Sequence, residues 1–205
     1  ENPTNAGTMA NQVQPVLVKF QNKGFADMKS AVFGWSLNGV FQDTIHWTGN
    51  LPDDFYDTLT LGYYTQRASQ YDTIKVWVNM PNGILDTNYF DDTLTVVSYG
   101  CESQLSGTYT IGEGEDFETV ADFVSIAKLC NPVSDITLEI KSDTFVENWD
   151  LSSIGNIMGN YMLTITSAAH DADSVIVKPA SGVALKLGNN KNLTIKDITF
   201  DCSSI

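Results

Sequence analysis

The sequence predicts an all-β chain, a β-sandwich followed by a helix-capped partial parallel β-helix. Three observations carry this. Apolar and polar residues alternate with period two through the first hundred positions. Turn residues break that alternation at short intervals. After residue 103 one amphipathic segment gives way to a series of short apolar strands. At 205 residues the chain has room for two cores of about 100 residues each, an ordinary domain size.

Residues 1–12 are polar with Pro3 and Gly7 and are expected to form a flexible leader. Val16, Val18 and Phe20 alternate with Leu17 and Lys19, so residues 13–21 read as the first strand, closed by Asn22-Lys23-Gly24. Residues 31–37 form the second strand. Asn38-Gly39 follows, and both residues accept the positive φ of a type I′ hairpin turn, so 40–47 is the return strand. Leu51-Pro52-Asp53-Asp54 breaks it and 58–61 resumes. The clearest stretch is 71–94: Ile74, Val76 and Val78 alternate with Thr73, Lys75 and Trp77, Pro81-Asn82-Gly83 reverses the chain, and a strand begins at Thr93. Such short strands with no helical period argue for a sandwich over residues 13–100, with Trp35 and Trp77 at its centre.

Residues 99–103 read as a linker. Asp116 is placed to cap a helix in which Phe117, Val120, Ala121, Val124 and Ala127 recur at three- and four-residue spacing. Asn131-Pro132 stops it. Short apolar strands follow at 136–140, 163–166, 175–177, 184–187, 193–195 and 198–200. Ile165 to Leu185 is 20 residues and Val177 to Ile198 is 21, close to one coil of a parallel β-helix, so 101–205 reads as the capped start of one. Leu193, Ile195, Ile198 and Phe200 alternate as a coil should, with no second amphipathic helix to cover them. That open end is expected to self-associate with another copy.

Two stretches resemble known families. Val-Leu-Val-Lys-Phe-Gln-Asn-Lys-Gly (16–24), Trp-Ser-Leu-Asn-Gly (35–39), Leu-Pro (51–52) and residues 71–92 together resemble the CARDB type of bacterial Ig-like domain, the cell-adhesion-related class, over residues 13–99. Asn79 stands where that family often has Asp, and Asp53 where Gly commonly follows Leu-Pro. The resemblance implies a surface spacer or adhesive repeat. Leu-Ser-Gly-Thr-Tyr-Thr-Ile-Gly (105–112), Asp116-Phe117, Pro132-Val133 and Ile-Thr-Leu-Glu-Ile (136–140) are similar to the opening of right-handed parallel β-helices of the pectin-lyase-like group, over residues 104–205. In that group an amphipathic helix plugs the first coil. Its catalytic carboxylates and basic residues lie on central coils and have no matching motif here, so no catalytic residue is carried over.

Charge and motifs bound the chemistry. The net charge is −14, from 25 acidic and 11 basic side chains, and no basic cluster interrupts it, which argues against nucleic acid as a partner. No apolar run approaches the ~20 residues of a membrane-spanning helix. The sequence starts at Glu1 without Met, which fits removal of an export signal. Cys101, Cys130 and Cys202 read as three buried thiols, with a Cys101 to Cys130 bridge as the sharper alternative. Asp86, Asn88, Asp91 and Asp92 offer oxygen ligands for calcium, but without the spacing and central Gly of an EF-hand they read as an Asn/Asp-rich turn. His46 and His170 have no nucleophile to activate. Glu113, Glu115, Asp116 and Glu118 offer a carboxylate pair for glycoside cleavage, yet acidic residues at a helix start suit the helix dipole. Phe55, Tyr56, Tyr63, Tyr64, Tyr89 and Phe90 either stack on sugars or place one ring of each pair in the core.

One triplet recurs. Asp-Thr-Ile or Asp-Thr-Leu begins at Asp43, Asp57, Asp72 and Asp92, with Asp173-Ser174-Val175 as a variant. It resembles the O-glycan acceptor of exported proteins in some Gram-negative bacteria, which would make Thr44, Thr58, Thr73, Thr93 and Ser174 acceptors. The alternative is a generic strand start, with Asp ending each loop and β-branched residues opening each strand. The reading that gathers these observations is a non-catalytic segment of an exported, cell-surface bacterial protein in adhesion or structural display, with a glycan or host-surface ligand and neither cofactor nor metal. The runner-up is the front of a polysaccharide lyase or glycoside hydrolase whose active coils lie beyond residue 205.

Overall fold

The structure is a computed structural model that describes residues 2–4, 6–86 and 92–203. It is mostly β and divides into two compact units, Glu1–Ser103 and Gln104–Ile205.

Among its described residues the first unit has seven strands: β1 (Gly7–Met9), β2 (Val13–Gln21), β3 (Met28–Leu37), β4 (Val40–Leu51), β5 (Tyr56–Thr65), β6 (Tyr71–Asn79) and β7 (Thr93–Cys101). One sheet runs β1-β7-β6-β3-β4 and the other pairs β2 with β5. Alternation decides what lies between them. Ala31, Phe33 and Trp35 of β3 point inward with Trp47 of β4 and Ile74 and Val76 of β6, and they meet Val16, Val18, Leu61 and Tyr64 from the second sheet in one buried core. The Asn38-Gly39 turn has φ of 51° and 81°, as the hairpin signal requires, and Leu37 faces Val40 across it. β6 and β7 pair antiparallel around the Pro81–Gly83 3-10 turn, so the expected hairpin forms.

Two expectations fail here. Residues 7–9 are not part of a free leader, because Gly7 to Met9 pair in parallel with Tyr99 to Cys101, and Asn2 exchanges backbone hydrogen bonds with Leu17. Main-chain groups beside a sheet edge lower their free energy by pairing with it, whatever the polarity of their side chains. Trp77 is not central either. It alternates with Ile74 and Val76 to the solvent face of its sheet and is only half-buried, while Trp47 joins Trp35 in the core.

The second unit pairs its strands in parallel. Its elements are β8 (Leu105–Ile111), α1 (Val120–Ala127), β9 (Pro132–Ile140), β10 (Asp143–Val146), β11 (Trp149–Leu151), α2 (Ile154–Met158), β12 (Leu163–Ser167), β13 (Val175–Lys178), β14 (Leu185–Leu187), β15 (Leu193–Ile195) and β16 (Thr199–Phe200). They form sheets β8-β9-β12-β15, β10-β13-β16 and β11-β14. The chain visits the three sheets in the same order on successive rounds. Ile136, Leu163 and Leu193 fall in one register row, and Leu138, Ile165 and Ile195 in another. The spacing differs from expectation: Ile165 faces Ile195 and not Leu185, and Val177 faces Phe200 and not Ile198. Each round takes in three sheets, so the count from Ile165 joined β12 to β14 of a different sheet, while the count from Val177 reached the residue just before β16, the true neighbour of β13.

Helix α1 buries Val120, Phe123, Val124 and Ala127. Its cap is Thr119, whose hydroxyl accepts from the Asp122 N–H at 3.1 Å while the Asp122 carboxylate accepts from the Thr119 N–H at 3.0 Å. Asp116, the expected cap, instead accepts from the backbone N–H and hydroxyl of Thr110 at 2.8 and 2.9 Å. Cys101 and Cys130 are disulfide-bonded and buried, and Cys202 is free and exposed, in place of three buried thiols.

Candidate functional site

The five proposed acceptors sit in different surroundings. Thr44 is exposed in the middle of β4, Thr58 is exposed near the start of β5, and Thr93 opens β7 in solvent. Thr73 and Ser174 are half-buried, and the Ser174 hydroxyl donates to the Asp171 carbonyl at 2.7 Å. The aspartates of the triplets also differ. Asp43 and Asp57 each accept from the N–H of the following Thr, at 2.7 and 2.8 Å. Asp57 also receives the Trp47 indole N–H at 2.9 Å. A strand-start reading therefore fits Thr93 but not Thr44.

Asp72 is the most constrained carboxylate described in the first unit. It is fully buried, and it accepts from Gln66 Nε2 at 2.8 Å, the Arg67 N–H at 2.9 Å, Arg67 Nε at 2.6 Å and Asn38 Nδ2 at 2.7 Å. Asn38 in turn accepts from the Thr73 N–H at 2.9 Å, so one carboxylate joins the β3–β4 turn to the segment between β5 and β6. Burial pushes the Asp72 carboxyl up, but hydrogen bonds from the Arg67 backbone, Asn38 and the Arg67 guanidinium outweigh it and hold it below its ordinary value. These four donors fill the carboxylate's lone pairs, leaving it no free capacity for acid–base work.

Among the described residues the other carboxylates do not converge. Glu115 pairs with Lys141, and with the Thr110 bonds to Asp116 both carboxyls are held low, the opposite of what a general acid needs. Glu113 and Glu118 are exposed. Glu147 is pushed up by burial and accepts from the Trp149 indole N–H at 2.6 Å. His46 is exposed on β4, and His170 lies 3.9 Å from Asp197 in an exposed loop. Of the calcium candidates, Asn88 and Asp91 lie outside the described residues, as do the aromatics Tyr89 and Phe90. Among the described residues no group of three or more His, Cys, Asp or Glu is placed to hold a metal.

Tyr63 and Tyr64 divide as a strand pair should, 67% and 5% exposed. Phe55 and Tyr56 are both exposed, and the Lys19 ammonium sits 4.3 Å above the Tyr56 ring. A cavity of about 230 Å³ lies among Asn2, Thr4, Val16, Val18, Ile74 and Val76 and is mostly apolar-walled. The feature that sequence reading missed is the outer face of the five-stranded sheet. There Trp77 lies across Gly34, and its ring is 6.1 Å from that of Phe41, which is 57% exposed. Register alone would have shown it, since Gly34 faces Trp77 directly.

No family model and no curated protein sequence matches the chain. The solved structures similar to it include the crystal structure of a CARDB domain from Pyrococcus furiosus, in complex with di-metal ions. It is 20% identical, with a TM-score of 0.37, over 45% of this chain and 81% of that one. A solution structure of the same archaeal domain is 18% identical, with a TM-score of 0.40, over 49% and 91%.

Replacing Asp72 tests the buried cluster. A carboxyl held below its unfolded value contributes stability that is full above that value, near 3.8, and is lost as pH falls through the lower folded value. Asp72→Asn is expected to cost about 2 to 3 kcal/mol at neutral pH and to flatten the loss of stability below pH 4, read by urea unfolding across pH. An unchanged acid limb would contradict the assignment.

Proposed function

We propose that the chain is a non-catalytic segment of an exported bacterial surface protein, acting in adhesion or structural display. In this reading the first unit is an Ig-like spacer of the CARDB type. The second is the start of a right-handed parallel β-helix, with α1 as the plug of its first coil. The observation that carries the proposal is the repeated visit to three parallel sheets with in-register apolar rows, an architecture that grows by adding coils and suits display. Disulfide-bonded Cys101 and Cys130 support an oxidising compartment and hence export. The polar side chains support the non-catalytic role, since Asp72, Asp116 and Glu115 are engaged with neighbours that hold them ionised.

Screening the purified chain against pectins, host glycans and other acidic polysaccharides is expected to give no turnover. Turnover abolished by one substitution within residues 1–205 would reverse the proposal in favour of a lyase or hydrolase.

Thr44, Thr58, Thr73, Thr93 and Ser174 remain the proposed O-glycan acceptors, with Thr44, Thr58 and Thr93 favoured by exposure. The intact mass of the protein purified from its native host is expected to exceed the sequence mass by whole sugar units. A mass equal to that of the bare chain would exclude the modification.

The coil formed by β15 and β16 supports self-association. Leu193, Ile195 and Phe200 are half-buried, whereas Leu163, Ile165 and Val177, their partners in the preceding coil, are fully buried. Light scattering is expected to show association that Phe200→Asp weakens. A monomeric wild type would remove the open coil from the account.

A further inference from the structure

The outer face of the five-stranded sheet carries a surface that the core does not need. Two register rows cross it. Thr44 of β4, Gly34 of β3, Trp77 of β6 and Thr93 of β7 form one. Phe41, Ser36, Lys75 and Thr95 form the next. Neighbouring strands lie about 4.8 Å apart, so each row is several side chains wide and the two together cover about the area of two linked sugar rings.

The aromatic pair is held in a particular way. A Cβ at residue 34 would come within 2.6 Å of the Trp77 indole, so only glycine lets the ring lie across β3. One side of the indole is thereby sealed against the sheet, and the other is left to solvent beside Phe41, whose ring is tilted 36° to it. Around the rings stand the exposed hydroxyls of Thr44, Thr93 and Thr95 and the exposed ammonium of Lys75. A ring pair bordered by hydroxyls matches the two halves of a pyranose, with C–H groups on its faces and hydroxyls on its rim.

We propose that this face binds a neutral oligosaccharide, stacked on Trp77 and Phe41 and hydrogen-bonded at its rim by Thr95 and Lys75. Charge selects the class. The chain carries −14, which repels polyanionic glycans at long range, and the two rows hold no acidic side chain. In these two rows threonines, serine and lysine surround the ring pair, a polar border that disfavours a protein partner, which would bury a contiguous apolar centre. The inference names the ligand class for the adhesive reading above and rests on it. The two fail separately, because loss of binding here leaves the display role standing.

The other tryptophans make the test specific. Trp35, Trp47 and Trp149 are buried, at 3%, 8% and 2% exposure, so a ligand-dependent change in tryptophan emission reports Trp77. Protein made without glycosylation is titrated with cellohexaose, xylohexaose, mannohexaose and maltohexaose, with polygalacturonate as the anionic comparison. The expected result is saturable emission change and calorimetric binding for at least one neutral glycan and none for polygalacturonate. Trp77→Ala is expected to abolish binding, Trp77→Phe to retain it, and Phe41→Ala to weaken it about tenfold. Trp77→Ala also uncovers Gly34, so Thr44→Arg, which blocks the row from an exposed position, is the second variant and is expected to abolish binding with the thermal midpoint unchanged. Absence of binding to every neutral glycan overturns the proposal. So does binding that survives both Trp77→Ala and Thr44→Arg, binding of polygalacturonate alone, or burial of Trp77 in a dimer of the chain.

Discussion

Strand β3 serves two surfaces through its pleat, and the first unit depends on that division. Phe33 and Trp35 face inward, where 2% and 3% exposure place them among the most buried large side chains of the core. Burial on that scale contributes about 1.5 to 3 kcal/mol per side chain. Gly34 faces outward between them and receives Trp77. A shift of register by one residue would exchange the two faces. The register is therefore fixed by the same apolar burial that leaves an aromatic surface outside.

The turns that hold β3 against its neighbours are secured by polar side chains. Asp72 links the Asn38-Gly39 turn to Gln66 and Arg67, and it is buried with its lone pairs filled. A buried carboxylate is costly unless its hydrogen bonds are complete. The same division of labour appears in the second unit. Asn148 accepts from the Ala180 N–H and donates to the Val183 carbonyl, and Asn190 accepts from the Gly155 N–H and donates to the Leu151 carbonyl. In both units Asp and Asn side chains hold the segments between strands.

Local signals were legible in the sequence wherever one residue type has one backbone use. Asn38-Gly39 marked its turn, alternation marked β2 through β7, and three- and four-residue spacing marked α1. Signals that depend on distant partners were not legible. Alternation places Trp77 opposite Ile74 and Val76 but does not say which face is inside, and that choice follows from the second sheet. Residues 7–9 look like leader because their strand is made by backbone pairing with β7, which leaves no side-chain pattern. The strand spacing was misjudged because successive rounds visit three sheets through segments of unequal length, so no fixed period marks the partners. Asp116 was a reasonable cap by type, but Thr119 with Asp122 satisfies two backbone donors where Asp116 would satisfy one. The candidate surface was legible in part, since Thr44, Trp77 and Thr93 were noted, but Phe41 was not, and only pairing across β3 brings the four together.

The proposed division at β3 sets a packed core against a recognition face. It is tested most directly by amide chemical-shift perturbation, using isotope-labelled protein and a neutral hexasaccharide that binds it. The account predicts shifts concentrated on residues 34, 41, 44, 75, 77 and 93, with the amides of Val16, Val18 and Leu61 in the facing sheet unmoved. Perturbation centred on the apolar cavity near Val16 and Ile74, or spread through the second unit while Trp77 and Thr44 stay fixed, would contradict it.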